Sequence, residues 1–293
     1  MRVLITGGSG TLGYALAKAF AARGDEAIVT YASRNPRQST VVAHPLDIRD
    51  AKAVSELISM VKPRVVVHCS ALTNVDLCET DRALADAVNV QGTENVINAC
   101  KTANAKIVYV STEAVFDGSK DAYAEDDIPN AINYYGATKL KGEELVRASG
   151  LKHLIVRTSQ PYGLVEPWHK TNTVLRAVEK MRAGESVREP RDWYNSPTYI
   201  PDFVNAVLDL IDKGRMGTYN VVGSDFVNRY DWAVAVAGVF GLDAKLIEAV
   251  DSSAFGLPAK RQRVKLSIEK ITKLKIKMRG VVEGAQAMRE LMA

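Results

Sequence analysis

Three side chains in the middle of the chain have the types and spacing of an acid–base site. Tyr135 and Lys139 are four residues apart in a segment with a helical pattern, so they share one face of a helix. A phenol has a pKa of about 10, and a nearby ammonium lowers it by favouring phenolate. Thr112 ends the preceding predicted strand, where its hydroxyl can stabilise charge developing on a carbonyl oxygen. These residues predict proton transfer to a carbonyl.

A glycine-rich turn at the start of the chain offers a place for a cofactor's phosphates. The apolar run 2–6 leads into Gly7, Gly10 and Gly13, and a helical pattern begins at once with Thr11 and Leu12. Glycines let the backbone approach a phosphate, and the helix N-terminus adds unpaired N–H groups. The pattern predicts a dinucleotide site; the alternative is a purely structural glycine turn.

The residues after the second predicted strand, 27–31, indicate which dinucleotide is preferred. A carboxylate there would bind the ribose 2′-hydroxyl, whereas a basic residue accommodates a 2′-phosphate. The sequence has Ser33, Arg34 and Arg37 and no carboxylate. This favours NADP(H) over NAD(H), although both arginines also fit a solvated loop.

Composition excludes several classes of protein. The 293 residues carry a formal net charge of +4 and three cysteines, an odd number without a Cys-x-x-Cys pair. The small net charge gives no reason to expect nucleic-acid binding, and the cysteine pattern argues against a disulfide scaffold and against a zinc site. We find no metal-binding motif, no signal peptide and no apolar run long enough to span a membrane. The expected location is the cytoplasm.

Strands and helices alternate along the chain, which predicts an α/β fold with a Rossmann-type, doubly wound parallel sheet. The run 64–69 is almost continuously apolar, as a strand buried on both faces requires, so His68 within it is expected to be a core residue. Asp50 is predicted to cap a helix that ends before Pro63. A further helical stretch is predicted over about 81–103.

With these motifs in this order, the sequence resembles the extended branch of the short-chain dehydrogenase/reductase superfamily. Within that branch it is similar to the dTDP-4-dehydrorhamnose reductase family. The resemblance spans nearly the whole chain, and its motifs lie at residues 6–13, 47–48, 89–93, 111–118, 135–139, 157–163 and 192–202.

The resemblance implies a cofactor site and two lobes. NADPH would lie across the sheet edge, contacting Gly7, Gly10, Thr11, Leu12, Ser33, Arg34, Asp47, Ile48, Ser70, Ala71, Leu72, Tyr135, Lys139 and Pro161. From the residues alone, Asp47 suits either the adenine amino group or a turn cap. Residues 1–163, with 199–222 returning, would bind the dinucleotide. Residues 164–198 and 223–293 would mainly form a smaller C-terminal substrate-binding lobe.

The implied reaction is NADPH-dependent reduction of a nucleotide-linked 4-keto-6-deoxysugar, as in dTDP-L-rhamnose biosynthesis. Tyr135 would protonate the oxygen, Lys139 would assist it and Thr112 would orient the substrate. The related dehydratases carry an acidic pair after the threonine, whereas this chain has Glu113 and Ala114. Two alternatives stay open: a nucleotide-sugar epimerase, and a non-catalytic NADP-binding subunit like the β subunit of methionine adenosyltransferase.

The residues expected to bind the sugar nucleotide include two departures from the family pattern. Gln160 stands where a tryptophan is frequent, and Trp193 lies in a segment that usually reads Asp-Gln-Tyr-Gly. Thr73 and Arg261 complete the predicted substrate residues. Arg261 belongs to a basic cluster that suits either a diphosphate or a solvated face. The expected partners are a small nucleotide sugar and, as an oligomer, a homodimer.

Overall fold

The computed structural model describes residues 1–36 and 41–292, and within them a seven-stranded parallel sheet forms the centre. Its strand order is β11-β6-β5-β4-β1-β2-β3, and every neighbouring pair is parallel. The strands are β1 (Arg2–Thr6), β2 (Glu26–Tyr31), β3 (Val42–Pro45), β4 (Val65–His68), β5 (Lys106–Thr112), β6 (His153–Thr158), β7 (Pro161–Tyr162), β8 (Val187–Pro190), β9 (Tyr194–Asn195), β10 (Thr198–Tyr199), β11 (Gly217–Asn220), β12 (Val227–Asn228) and β13 (Ile247–Val250). The predicted Rossmann-type α/β class is confirmed.

Helices cover both faces of the sheet and build a second, smaller layer. They are α1 (Thr11–Ala22), α2 (Ala51–Val61), α3 (Val75–Thr80), α4 (Arg82–Asp86), α5 (Gly92–Ala103), α6 (Tyr134–Ala148), α7 (Thr173–Arg182), α8 (Ile200–Asp212), α9 (Arg229–Phe240), α10 (Glu269–Thr272) and α11 (Val281–Glu290). None of the described helices is both long and apolar enough to cross a bilayer.

Local capping signals set the helix boundaries where the sequence predicts them. The Asp50 carboxylate accepts a hydrogen bond of 3.0 Å from the Ala53 N–H, and α2 ends at the left-handed Lys62 just before Pro63. The stretch predicted as helix over 81–103 is helical but not uniform, because a π-turn at Ala87–Gln91 separates α4 from α5. Such turns insert a residue into the helix and often occur at functional sites.

The two faces of the sheet bury separate apolar cores because successive side chains of a strand alternate. Val3 and Ile5 pack on the face covered by α1 and α8, together with Phe203. Leu4 points the other way and packs with Ile58 of α2. Burial on both faces is the reason that these strands read as continuous apolar runs.

The smaller layer has apolar cores of its own, formed by α7, α9 and α11 around Tyr162 and Trp232. The chain also returns to the sheet late, because Ile271, Ile276 and Met278 pack against the α8 face. The proposed boundaries of the two lobes stay a prediction.

Candidate functional site

The turn between β1 and α1 has the geometry that a dinucleotide's pyrophosphate requires. Gly7 has φ +66°, and a Cβ there would lie 2.7 Å from the Ser70 nitrogen. A Cβ on Gly13 would lie 2.5 Å from the Gly7 carbonyl oxygen, so α1 packs directly on the turn. Gly10 caps α1, and among the described residues beyond its chain neighbours only that same oxygen lies within 4 Å of its Cβ position, at 3.3 Å. The structure thus has the tight turn, the open approach for a phosphate and the close helix packing that a dinucleotide site requires.

A cleft of about 830 Å³ runs from this turn across the carboxyl ends of the central strands. The strand ends and their loops supply most of its walls, as expected for an open parallel sheet. Of the residues predicted to bind cofactor or substrate, it is lined by Gly7, Gly10, Thr11, Leu12, Ser33, Asp47, Ile48, Ser70, Ala71, Thr73, Thr112, Tyr135, Lys139, Gln160, Pro161, Trp193 and Arg261.

Two predicted cofactor residues, Arg34 and Leu72, do not line the cleft. The Arg34 guanidinium donates to the backbone carbonyl of Trp168. The Leu72 backbone is held by the Asn89 side chain, which accepts from its N–H at 2.7 Å and donates to its carbonyl at 3.1 Å. Arg37 lies outside the described residues.

At the end of the cleft predicted for adenine, the sequence reasoning missed Arg49, which lines the wall beside Asp47 and Ile48. Its Nε lies 3.0 Å from Asp47 Oδ1, and its backbone N–H donates to that oxygen at 3.0 Å, so the turn-capping role of Asp47 is present. These hydrogen bonds hold the pKa of Asp47 below its usual range.

Gly92 lies inside the stretch predicted as helix over about 81–103. Packing explains a glycine there, because a Cβ on Gly92 would lie 2.7 Å from the Ile48 side chain.

A close contact between α6 and the end of β5 brings the predicted acid–base residues together. The Asn133 side chain caps α6 by accepting from the Gly136 N–H at 2.8 Å. A Cβ on Gly136 would lie 2.0 Å from the Ala114 carbonyl oxygen, so only glycine allows this approach. Tyr135, Lys139 and Thr112 consequently line the same cleft.

Lys139 is the most buried member of this set, at 3% exposure. Its ammonium nitrogen lies 4.0 Å from the centre of the Tyr109 ring. Burial lowers the pKa of Lys139 to about 7, and the Glu143 carboxylate one helical turn away opposes the shift. Near neutral pH this amine is therefore close to half protonated.

The pKa of Tyr135 moves in the direction opposite to the sequence expectation. Burial raises it above the usual value, the Glu113 carboxylate raises it further, and the Thr112 hydroxyl acts in the opposite sense. Desolvation outweighs any help from the Lys139 ammonium among the protein's own groups. Tyr135 is thus a neutral phenol, the form that donates a proton.

Glu113 is a second acid in the cleft that we did not predict as a site residue. It is 6% exposed, and burial raises the pKa of its carboxyl to about 7. Thr112 Oγ1 donates to Glu113 Oε2 at 3.2 Å and accepts from the Ala114 N–H at 3.2 Å. The threonine hydroxyl is held in place from both sides.

A buried ion pair behind the cleft ties α6 to the strands. Both oxygens of the Glu143 carboxylate are bound by Arg157 of β6, at 2.9 and 2.8 Å, and Ser111 of β5 donates to it at 2.6 Å. Burial raises the pKa of Glu143, but the Arg157 hydrogen bonds outweigh it and leave the pKa below the usual value. This network fixes the strand end that carries Thr112 relative to the helix that carries Lys139.

His68 has the environment of a core histidine, as the sequence indicates. Its Nδ1 lies 2.6 Å from Thr6 Oγ1 and its Nε2 lies 3.1 Å from Thr93 Oγ1. Burial lowers its pKa to about 3, so the ring is neutral at physiological pH.

The far end of the cleft holds the predicted substrate residues. Arg261 Nη2 lies 2.7 Å from Asp76 Oδ2, so its charge is already paired. Both Arg261 and Arg229 lie with their guanidinium carbons 5.0 Å from the centre of the Trp193 ring. The Gln160 side chain accepts from Arg229 at 2.9 Å.

Other polar residues that we did not predict also line the cleft, among them Lys170, Asn172, Arg176 and Asn195. They come from segments distant in sequence, and no local motif marks them. Among the residues that the structure describes, no group of three or more His, Cys, Asp or Glu side chains is arranged to hold a metal ion.

The chain is similar to known proteins in family, in sequence and in structure. The model of a family described as the RmlD substrate binding domain matches residues 1–291. The methionine adenosyltransferase 2 subunit beta of Xenopus tropicalis is 29% identical over 284 residues, covering 95% of this chain and 84% of that protein.

Two solved structures are similar over nearly their full length. A dTDP-4-dehydrorhamnose reductase from Clostridium acetobutylicum is 30% identical with a TM-score of 0.87, covering 100% of this chain and 99% of that one. The dTDP-4-dehydrorhamnose reductase of Bacillus anthracis, solved in complex with NADP, is 29% identical with a TM-score of 0.84 and 98% coverage of both chains.

Proposed function

Because the chain belongs to the family of the RmlD substrate binding domain, we propose that it is an NADPH-dependent reductase of a nucleotide-linked 4-keto-6-deoxysugar. The product class would be that of dTDP-L-rhamnose biosynthesis. The single observation that carries the proposal is the convergence of Thr112, Tyr135 and Lys139 on the cleft that begins at the glycine turn.

The glycine turn would hold the cofactor's pyrophosphate through the Gly10, Thr11 and Leu12 backbone at the start of α1. Asp47 and Ile48 would contact adenine, and Arg34 would contact the 2′-phosphate. When bound, the nicotinamide would supply the hydride for this reduction. The complex of the Bacillus anthracis reductase with NADP supports a nicotinamide dinucleotide as the cofactor.

At the sugar, the chain's own residues would handle the proton. Tyr135 is a neutral phenol that donates its proton to the carbonyl oxygen as negative charge develops there. In the proposed complex the Thr112 O–H would turn from Glu113 Oε2 to the same oxygen and orient it. Lys139, with a pKa of about 7, would hold the cofactor ribose and stabilise the phenolate that remains.

The test is turnover of dTDP-4-keto-6-deoxy-L-mannose, followed by the loss of NADPH absorbance. Wild type is expected to turn over, and Tyr135→Phe is expected to fall by about 10²-fold or more, the scale of losing a general acid. Tyr134→Phe, the adjacent phenol bound to Asp86 at 2.7 Å, is the matched control and should retain activity. Equal rates for Tyr135→Phe and wild type would refute the assigned acid.

The second candidate is a regulatory NADP-binding subunit, favoured by the similarity to the methionine adenosyltransferase 2 β subunit. It predicts tight NADPH binding without turnover of any keto-sugar, and a stable complex with a methionine adenosyltransferase catalytic subunit. An epimerase instead predicts a pyridine nucleotide that stays bound through purification and is not consumed.

A further inference from the structure

The Thr112 hydroxyl has one proton to donate and two oxygens that would take it. In the structure Thr112 Oγ1 lies 3.2 Å from Glu113 Oε2, and it accepts a hydrogen bond of 3.2 Å from the Ala114 N–H. In the proposed reaction the carbonyl oxygen of the sugar takes the same proton. Because a hydroxyl donates only one hydrogen bond, Thr112 can donate to the sugar only when Glu113 does not hold its proton.

The geometry allows the hydrogen bond between Thr112 and Glu113 to reverse. Both residues are buried and line the cleft, and the Thr112 side chain caps the short 3₁₀ turn Glu113–Val115. An ionised carboxylate can only accept, so it keeps the Thr112 proton, whereas a protonated carboxyl group has a proton of its own to donate. Thr112 Oγ1 then accepts from both Glu113 and Ala114, which uses its two lone pairs, and its own proton is free for the cleft.

Burial makes the protonated form of Glu113 available near neutral pH. It raises the pKa of Glu113 to about 7, although hydrogen bonds from the backbone N–H of Glu113 and from the Ser159 and Thr112 hydroxyls oppose the shift. The other titratable side chains near this end of β5 are Tyr135, Lys139 and Glu143 of α6, Cys78 of α3, Cys69 after β4 and Arg157 of β6. Glu143 and Arg157 pair with each other at 2.8 Å, and burial keeps both thiols neutral.

We propose that the protonated Glu113 carboxyl group donates to Thr112 Oγ1 and thereby directs the Thr112 O–H at the carbonyl oxygen of the substrate. Glu113 is then a positioning residue, because it acts through Thr112 and needs no contact with the sugar. When Glu113 ionises, it takes back the Thr112 proton, and the carbonyl oxygen loses one of its two donors. This inference rests on the proposed function, since it concerns the group that orients the keto-sugar.

The first test measures kcat/KM for dTDP-4-keto-6-deoxy-L-mannose against pH at saturating NADPH. Wild type should exceed Thr112→Ala by about 10²-fold at pH 6, the scale of one oxyanion donor. At pH 8 a carboxyl group with a pKa of about 7 is only about one-tenth protonated, so the ratio should fall to about 10-fold. Thr112→Ser keeps the hydroxyl and should follow wild type. Titration of Lys139 affects every variant and cancels in the ratio.

The second test replaces the acid itself. The Glu113→Gln amide can donate to Thr112 Oγ1 as the protonated carboxyl group would, but it cannot ionise. The kcat/KM of wild type relative to Glu113→Gln should therefore fall by about 10-fold between pH 6 and pH 8. Added to Thr112→Ala, the same substitution should not alter the pH profile, because the group through which Glu113 acts is absent.

A ratio of wild type to Thr112→Ala that is the same at pH 6 and pH 8 would overturn the role of Glu113, and this comparison needs no Glu113 variant to fold. An effect of Glu113→Gln on the pH profile that persists without the Thr112 hydroxyl would also overturn it, because Glu113 would then act directly. Either result leaves the proposed function intact. Absence of keto-sugar turnover by wild type at every pH, with NADPH bound normally, would instead refute the proposed function.

Discussion

One cleft contains Lys139, Glu113 and Tyr135. Burial shifts the pKa of each side chain in the direction that favours its uncharged form. The pKa of Lys139 falls to about 7, that of Glu113 rises to about 7, and that of Tyr135 rises above its usual value. Desolvation disfavours charge whatever its sign, which accounts for all three directions. The cleft therefore offers a neutral proton donor beside two groups that titrate near physiological pH.

His68 should make the folded state sensitive to acid. Its pKa is about 3 when folded and about 6.5 when unfolded, so the unfolded chain binds more protons between these values. We expect its contribution to the free energy of unfolding to fall by about 1.4 kcal/mol per pH unit as the pH drops through this window. Urea unfolding of wild type and His68→Gln between pH 6.5 and 4.5 measures the difference between their free energies of unfolding. This difference should narrow as the pH falls.

Glu113 should give the stability of the fold a pH dependence opposite to that from His68. Its folded pKa of about 7 lies above the ordinary value of 4.5, so the folded state binds more protons in that window. Stability from this group is present at low pH and lost as the pH rises toward 7. Wild type should lose stability relative to Glu113→Gln as the pH rises from 4.5 to 7; parallel curves would contradict the burial of this acid as the cause.

Two arginines near the adenine end allow the cofactor preference to be tested. Arg34 follows the second strand and its guanidinium donates to the backbone carbonyl of Trp168, whereas Arg49 is paired with the Asp47 carboxylate. We expect Arg34→Ser to lower the ratio of kcat/KM for NADPH over NADH by about 10-fold or more, the loss of one charged hydrogen bond. Arg49→Ser should leave the ratio unchanged. The reverse result would assign the 2′-phosphate to Arg49.

At the scale of secondary-structure elements, the contact between α6 and β5 depends on one missing side chain. A methyl group on Gly136 would meet the Ala114 carbonyl at 2.0 Å, so the helix would have to move. Gly136→Ala should destabilise by about 1–3 kcal/mol and reduce turnover by displacing Tyr135. Chemical denaturation and steady-state kinetics measure both.

The control for this substitution is another helical glycine. Gly238 in α9 has no positive φ, and apart from its own helix backbone no heavy atom of the described residues lies within 4 Å of its Cβ position. Gly238→Ala should stabilise the protein by about 0.4–1 kcal/mol, because alanine lowers the entropy of the unfolded chain. Destabilisation by both variants to the same extent would show that the α6 contact is not special.

The sequence predicts best those elements that depend on residues close together in the chain. The glycine turn follows from spacing, α2 from Asp50 and Pro63, and the strands from apolar runs. The site is harder, because its remaining members arrive through tertiary contacts. Glu113 is an acid whose role depends on burial, and Asn195 lines the cleft although no local motif marks it. The pKa direction of Tyr135 likewise depends on burial, which spacing does not reveal.

At the scale of the whole molecule, cofactor binding should stabilise the fold through the glycine turn. A ligand that binds only the folded state adds about 2.7 kcal/mol at 100 times its Kd. We expect NADPH to raise the melting temperature of wild type. Gly10→Val should still fold, because φ there is −85° and the Gly7 carbonyl oxygen, at 3.3 Å from the Cβ position, is the one close neighbour among the described residues, but it should lose the NADPH shift. An unchanged shift would contradict the assigned phosphate site.

The path of the chain constrains how a protein of this kind can be rearranged by recombination. A gene cut after codon 163 would encode β1 to β7 without α8 or the segment that carries Ile271 and Met278. The face of its sheet that α1 and α8 cover together would keep only α1, so part of this apolar surface would be exposed to water and prone to aggregation. The smaller layer therefore cannot be exchanged between relatives as a single contiguous cassette. We expect changes of substrate preference to arise instead by point changes on the cleft wall, at positions such as Gln160 and Trp193.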